Sequence, residues 1–164
     1  MRVRQVRLLL SLVLVVGLSL ATACQPTPPS FPALPGGSGE GRRVVYSIEQ
    51  QRVWWVEADG RVVNSYLVSG RRNTPARGTY AVFSKSRHAW SAGGATMEYM
   101  IRFTWGRNLA IGFHSIPRNS RGQPIQSEAQ LGQPLSAGCI RQRDSDAAAL
   151  WNWAPVGTKV VVVK

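Results

Sequence analysis

Seven short runs of β-branched and aromatic residues, separated by turn-forming residues, confine this chain to a β-rich fold. The runs lie at 44–48, 52–56, 62–68, 79–83, 97–103, 109–113 and 158–163. Val, Ile, Tyr, Phe and Trp suit the pleated, half-buried surface of a sheet. Asp59-Gly60, between the second and third runs, is a strong signal for a tight hairpin turn. In the fifth run Tyr99, Ile101 and Phe103 share one face, because side chains alternate along a strand. The seventh run is almost wholly apolar and suits a strand inside a sheet covered on both faces. One helix is expected near the C-terminus. Asp144 can cap it, Ala147, Ala148, Ala149 and Leu150 favour it, and Pro155-Val156-Gly157 ends it. The expected fold is mainly β: a sandwich or barrel of seven or eight short strands, closed by that helix.

This β-rich part occupies residues 42–164, and 164 residues leave room for one modest domain. What precedes it reads differently. Arg2, Arg4 and Arg7 lead into an apolar run at 8–20, shorter than the roughly 20 residues that span a bilayer. Ala21-Thr22-Ala23 follows and then Cys24. Residues 1–23 are therefore expected to be an export signal. A Cys directly after such a signal resembles the lipobox of bacterial lipoproteins, where that Cys is lipidated and anchors the chain to the membrane. The alternative is an ordinary secretion signal with Cys24 a bystander. Residues 24–41 hold five prolines, Pro26, Pro28, Pro29, Pro32 and Pro35, followed by Gly36, Gly37, Gly39 and Gly41. They are expected to be a linker, reaching ~50 Å if extended at about 3.1 Å per residue.

The hydrophobic fraction of 44% and charged fraction of 17% exclude disorder. The net charge is +12, with Arg supplying 17 of the 20 basic residues. An exported protein of this charge meets the polyanions of the cell envelope before it meets nucleic acid, and a solvated basic surface accounts for the charge equally well. No nucleic-acid partner is expected, and the chain is expected to be a monomer.

Two Cys and two His are too few for a disulfide scaffold or a multi-ligand zinc cage, so neither metal nor cofactor is expected. Once residues 1–23 are removed, Cys139 is the one Cys of the β-rich domain. Oxidising compartments pair or damage free thiols, and one reason to keep a single one is nucleophilic catalysis. Gly138 precedes it and lets a substrate carbonyl approach backbone N–H groups. His114 ends an apolar run and opens a long polar stretch, a usual place for working residues on a sheet scaffold. His88 lies in the basic run Lys85-Ser86-Arg87-His88 and is expected in a solvated loop. A buried inert Cys and a hydrogen-bonded structural His are the competing readings. A Cys, a His and Arg141 together favour a nucleophile–base pair.

These residues resemble a known family. Ser136-Ala137-Gly138-Cys139-Ile140-Arg141 looks like the signature of bacterial L,D-transpeptidases, the YkuD-like catalytic domain, in which Ser/Thr-His-Gly-Cys precedes an apolar residue and Arg or Asn. Leu131-Gly132-Gln133-Pro134 resembles the segment just before that signature, and His114-Ser115 the strand-end His with its small follower. Val68-Ser69-Gly70, Thr74-Pro75, Gly78 and Tyr80 resemble a further segment with spacings slipped by one. Residues 97–103 are similar to the strand and flap region before the His, and Gly157-Thr158-Lys159-Val160 to the start of the last strand. The likeness runs over residues 43–164. Two departures stand out: Ala137 replaces the second His of the motif, and 24 residues separate His114 from Cys139, longer than usual.

The resemblance implies a peptidoglycan L,D-transpeptidase without cofactor, acting on donor and acceptor stem peptides in the cell envelope. It implies Cys139 as nucleophile, His114 as general base and Ser115 as the residue that orients the imidazole, by its carbonyl or its hydroxyl. Gly138 and Ser136 fall at the oxyanion side, and Tyr99 and Arg141 become substrate contacts, with a salt bridge from Arg141 to Asp144 or Asp146 as the alternative. Trp151 and Trp153 are expected to pack the helix on the sheet. Transfer to water would make an L,D-carboxypeptidase, and the Ala137 departure would suit a catalytically impaired wall-binding lipoprotein. A basic polyanion-binding module is the remaining alternative.

Overall fold

The computed structural model describes residues 30–164. The export signal at 1–23, Cys24 and the first residues of the linker lie outside the described residues. The described chain runs β1 (Arg43–Ser47), β2 (Arg52–Val56), β3 (Val62–Leu67), β4 (Gly78–Ala81), β5 (Ser84–Trp90), β6 (Thr96–Trp105), β7 (Ala110–Ser115), a 3-10 turn (Glu128–Gln130), β8 (Ile140–Gln142), α1 (Asp144–Trp153) and β9 (Lys159–Val163). The strands form two sheets, one ordered β3-β2-β1-β9-β4 and the other β5-β6-β7-β8. This is the mainly β, two-sheet architecture expected, with its helix near the C-terminus.

The core lies between the sheets. Val44, Tyr46, Val53, Trp55 and Val160 meet Ile101, Phe103, Ile111, Phe113 and Ile140 there, and Leu150 and Ala154 close one side from α1. Burial of such side chains contributes about 25 cal/mol per Å² of apolar surface, and the aromatic members add directional contacts. Phe103 and Phe113 stack at 4.9 Å, while Trp55 stacks on Trp153 of α1 at 5.4 Å. Trp151 and Trp153 thus fasten the helix, as anticipated.

Alternate residues of the first sheet form a second apolar layer on its outer face: Val45, Trp54, Val56, Val161 and Val163, covered by Leu34. The Trp54 indole donates to the Pro32 carbonyl at 2.9 Å, and Lys159 Nζ to the Glu40 carbonyl at 2.9 Å. Residues 32–41, expected as free linker, are therefore docked on the sheet. The unbroken apolar runs of β1 and β9 follow from this, since both faces are covered.

Two strands exceed the seven expected runs. β5 carries Lys85, Arg87 and His88 and reads as a basic loop, yet it pairs along β6 from Ser84↔Arg102 to Trp90↔Thr96. As an edge strand it has no need of an apolar face, and its charges discourage further strand pairing. His88 accordingly sits on a strand rather than in a loop, at the surface, 3.7 Å from Glu98. β8 is only three residues long and hides within the Cys motif. At the helix start, Arg143 rather than Asp144 occupies the cap position and no side chain caps it; Asp144 is the first helical residue, and its carboxylate pairs with Arg118 at 2.8 Å.

At Gly112 of β7 the backbone of β6 leaves no room for a side chain. A Cβ there would fall 2.2 Å from the Ile101 carbonyl oxygen, a backbone atom that cannot swing aside. Gly112→Ala is expected to lower stability by about 1–3 kcal/mol, the usual scale of overpacking. Urea unfolding measures the loss, and wild-type stability would contradict the close approach.

Candidate active site

β7 and β8 run parallel, with Phe113↔Ile140, His114↔Arg141 and Ser115↔Gln142 in register. This pairing sets His114 beside Arg141, one pair beyond the strand end that carries Cys139. His114, Cys139, Gly138, Ser136 and Arg141 all line one cavity of about 1090 Å³. Five of the residues singled out in the sequence are thus brought to one cavity wall.

The loop before Cys139 is fixed from two directions. Internally, the Ser136 hydroxyl donates to the Cys139 carbonyl and accepts from the Gly138 N–H, the latter at 2.9 Å. Externally, residues 68–71 splint it. Ser136 N–H donates to the Gly70 carbonyl at 2.9 Å, Ser69 and Arg141 exchange backbone hydrogen bonds of 2.9 Å each, and Gly132 N–H donates to the Val68 carbonyl at 2.8 Å. Arg71 Nη1 donates to the Ala137 carbonyl at 3.0 Å. The guanidinium thus holds the backbone at the position where the family motif has its second His. The splint rests on Gln51, whose side chain is buried, bonds the Tyr46 hydroxyl at 3.1 Å and accepts from Gly70 N–H at 2.5 Å. A Cβ on Gly70 would strike that hydroxyl at 2.0 Å, so only glycine fits. Gln51 and Arg71 went unnoticed in the sequence, and Ser69 and Gly70 carried little signal beyond a Val-Ser-Gly match.

His114 is buried, at 3% exposure. Its Nδ1 lies 2.6 Å from the Ser115 carbonyl. A carbonyl only accepts, so Nδ1 carries the hydrogen and Nε2 keeps its lone pair. Ser115 therefore acts on the imidazole through its carbonyl. Its hydroxyl instead accepts from the Glu98 N–H at 2.9 Å. Burial lowers the His114 pKa to about 4, against the raising effect of the Ser115 carbonyl, with the Arg141 charge lowering it further. The imidazole is neutral at neutral pH. Burial also pushes the Cys139 thiol up, while a hydrogen bond from the Gly112 backbone and the Arg102 and Arg141 charges pull it down. The resting pair is thiol and imidazole rather than thiolate and imidazolium.

Three expected roles are altered. The Gly138 N–H is used by Ser136, which leaves the Cys139 N–H, unpaired among the described residues, as the amide available to a developing oxyanion. Arg141 makes no salt bridge to Asp144 or Asp146. Its Nη1 donates to Gln126 Oε1 at 2.9 Å. Tyr99 does not line the cavity: a φ of +57° turns it away, against Trp151 at 6.2 Å and beneath the Arg87 guanidinium at 4.0 Å. The assumption of regular alternation from Tyr99 to Phe103 fails at that residue.

The long stretch between His114 and Cys139 is pinned. Arg118 exchanges backbone hydrogen bonds with Thr96, Ile116 N–H reaches the Gln142 carbonyl, and Ile125 N–H the Pro117 carbonyl. It supplies Pro117 and Ile125 to the cavity wall and Gln126 to Arg141.

A nucleophilic side chain, an acceptor nitrogen of fixed tautomer and a free amide around one cavity can perform acyl transfer, and the two-sheet frame that holds them is that of an L,D-transpeptidase catalytic domain. The model of that domain family (YkuD) matches residues 41–162, and the chain belongs to the family. YciB of Bacillus subtilis (strain 168) is 30% identical over 126 residues, covering 71% of this chain and 62% of its own length. The fold is shared with an L,D-transpeptidase from Mycobacterium smegmatis (TM-score 0.62, 22% identity, 77% of this chain and 60% of that one). It is shared too with the catalytic domain of the E. faecium L,D-transpeptidase (TM-score 0.55, 24% identity, 77% and 100%).

The depressed His114 pKa has a consequence for stability. Below its ordinary value of 6.5 the unfolded chain takes up a proton that the folded chain refuses until about pH 4. The contribution is fully present above pH 6.5 and is lost as pH falls through that window, to a total of about 3 kcal/mol. His114→Gln is expected to show a correspondingly smaller loss between pH 7 and pH 4.5. Urea unfolding of both proteins at the two pH values measures this, and equal losses would refute a buried neutral imidazole.

Proposed function

We propose that this protein is a peptidoglycan L,D-transpeptidase using Cys139 as nucleophile and His114 as general base. The observation that carries the proposal is that, among the described residues, the one thiol shares a cavity with a buried imidazole whose Nδ1 is held by the Ser115 carbonyl and whose Nε2 has no partner. Cys139 Sγ attacks the carbonyl of the third residue of a tetrapeptide stem as Nε2 takes the thiol proton. Because the resting pair is uncharged, proton transfer accompanies attack instead of preceding it. The Cys139 N–H donates to the oxyanion, a contact of a kind worth about 3 kcal/mol. Collapse breaks the bond to the terminal D-Ala, whose amine takes the proton from His114, and a thioester remains. An amine of a second stem then attacks, gives its proton to Nε2 and forms a 3→3 cross-link while Cys139 leaves as thiol. Water in place of the amine makes the same site an L,D-carboxypeptidase.

The purified chain incubated with a disaccharide-tetrapeptide is expected to gain the mass of a tripeptide stem on Cys139, release D-Ala and yield dimer. Cys139→Ala should abolish all three, and His114→Ala should slow acylation by about 10²–10⁴-fold. Monomeric tripeptide without dimer would indicate the carboxypeptidase. A folded, reduced protein with no adduct would instead favour the wall-binding reading.

The proposal includes export and a lipid on Cys24, supported by the Arg-rich start, the apolar run at 8–20 and the small residues at 21–23. Metabolic labelling with a fatty-acid analogue should mark the wild type and leave Cys24→Ser unmarked. Equal labelling of the two would overturn it.

A further inference from the structure

Four hydrogen-bonding groups around Cys139 form one chain with a single direction. The Arg71 guanidinium donates to the Ala137 carbonyl at 3.0 Å. Across the same peptide group, the Gly138 N–H donates to the Ser136 hydroxyl at 2.9 Å, and that hydroxyl donates to the Cys139 carbonyl. Every donor points away from the cation and toward the nucleophile's own residue. A peptide group whose oxygen accepts from a guanidinium is a stronger donor at its N–H, and a hydroxyl that accepts is a stronger donor in turn. The first bond is also charge-assisted, the stronger kind.

The chain encloses the one amide it leaves out. The Cys139 N–H lies between the Ala137–Gly138 peptide, held at both oxygen and hydrogen, and the Cys139 carbonyl, held by Ser136. Rotation of that amide requires one of its neighbours to move. Gly138 has the widest backbone freedom of any residue type, and the Arg71 bond opposes movement at the carbonyl just before it. The root of Arg71 is firm as well. Gly70 is tied to Gln51 and to Ser136, Arg71 forms a bridge with Thr74, and Thr74 Cγ2 stands 4.0 Å from where a Cβ of Gly138 would be.

Arg71, Arg102, Arg107 and Arg141 all line the cavity, but they hold different things. Arg141 bonds the Gln126 side chain, Arg102 the hydroxyls of Ser86 and Ser84, and Arg107 lies in the turn between β6 and β7. Among the described residues, Arg71 is the one of the four whose side chain grips the main chain of the Cys139 loop.

Resting on the transpeptidase reading, we infer that Arg71 is a positioning residue for acyl transfer: through the Ala137–Gly138 peptide and Ser136 it fixes the direction in which the Cys139 N–H meets the developing oxyanion. That N–H is called upon only as negative charge forms, so the effect of Arg71 falls on the rate of acylation and not on binding of the donor.

The test uses the full chain as wild type, Arg71→Gln, Arg71→Lys, Ser136→Ala and the Arg71→Gln/Ser136→Ala double variant. Acylation of Cys139 by a disaccharide-tetrapeptide is timed by mass spectrometry over a range of donor concentrations. Alkylation by iodoacetamide, which needs the thiol but no oxyanion donor, is timed beside it. Arg71→Gln is expected to lower the limiting acylation rate by about 10–100-fold, less than deleting an oxyanion donor outright can cost, with the half-saturating donor concentration and the alkylation rate unchanged. Should the Gln variant fold poorly, Arg71→Lys carries the test: it keeps a charge without the fork, so a smaller loss is expected and no loss would overturn the role. The double variant should be about as slow as the slower single one, since both substitutions cut the same chain. A raised half-saturation at an unchanged limiting rate would make Arg71 a substrate contact and overturn the positioning role. Equal slowing of alkylation, or losses that multiply in the double variant, would overturn it too. Amide exchange followed by NMR needs no donor: the Gly138 N–H should exchange at least about tenfold faster in Arg71→Gln as its local opening becomes easier, and an unchanged rate would overturn the proposal. Faster exchange in the variant, with a wild type that is never acylated, would overturn the transpeptidase reading and leave the hold of Arg71 on the loop standing.

Discussion

The parallel pairing of β7 with β8 is the constraint on which the candidate site depends. Three register pairs bring the last turn of one strand beside the first residues of the other, and the thiol and imidazole follow from that alignment. Adjacent parallel strands cannot be joined by a tight turn. The chain has to leave one end of the sheet and return to the other, which takes a dozen residues or more. The 24 residues between His114 and Cys139 are this return path. A return path is a demand of topology, though one of half this length would meet it, and the hydrogen bonds to Thr96, Gln142 and Val68 show it laid down as structure along the sheet edge.

Electrostatics and packing act on the site in opposite directions. Burial makes each member of the pair prefer its uncharged form, the thiol protonated and the imidazole bare. The neighbouring guanidinium groups favour the thiolate and disfavour the imidazolium. The balance leaves a neutral pair; in the acyl transfer we propose, its charge separation develops together with the attack, where a preorganised amide is most effective. The splint at residues 68–71, anchored on Gln51 and Tyr46, fixes that amide without contributing any reacting group itself.

The architecture was legible where strands have a buried face to advertise, as in β1, β2 and β9. It was not legible at β5, an edge strand rich in Lys, Arg and Ser, nor at β8, too short to show alternation. Cys139 and His114 stood out as candidates because thiols and imidazoles are scarce in this sequence, whereas Ser115 and Ser136 were named only through the resemblance of the segments around them to a family motif. The partners of the site's groups could not be read there. That Gly138 spends its N–H on Ser136, that Arg141 meets Gln126 and not an Asp, and that a positive φ turns Tyr99 away are outcomes of three-dimensional competition among neighbours. Residue type alone does not encode them.

The docking of residues 32–41 on the outer face of the first sheet changes the scale of any attachment through Cys24. Leu34, the Pro32 carbonyl and the Glu40 carbonyl are bound to the domain, so half of the Pro- and Gly-rich stretch is already used as cladding. Only eight residue steps separate Cys24 from Pro32, a contour of no more than ~29 Å at full extension. A catalytic domain leashed that closely would patrol a thin shell above its membrane, and the layer of wall within its grasp would be set by the leash and not by diffusion.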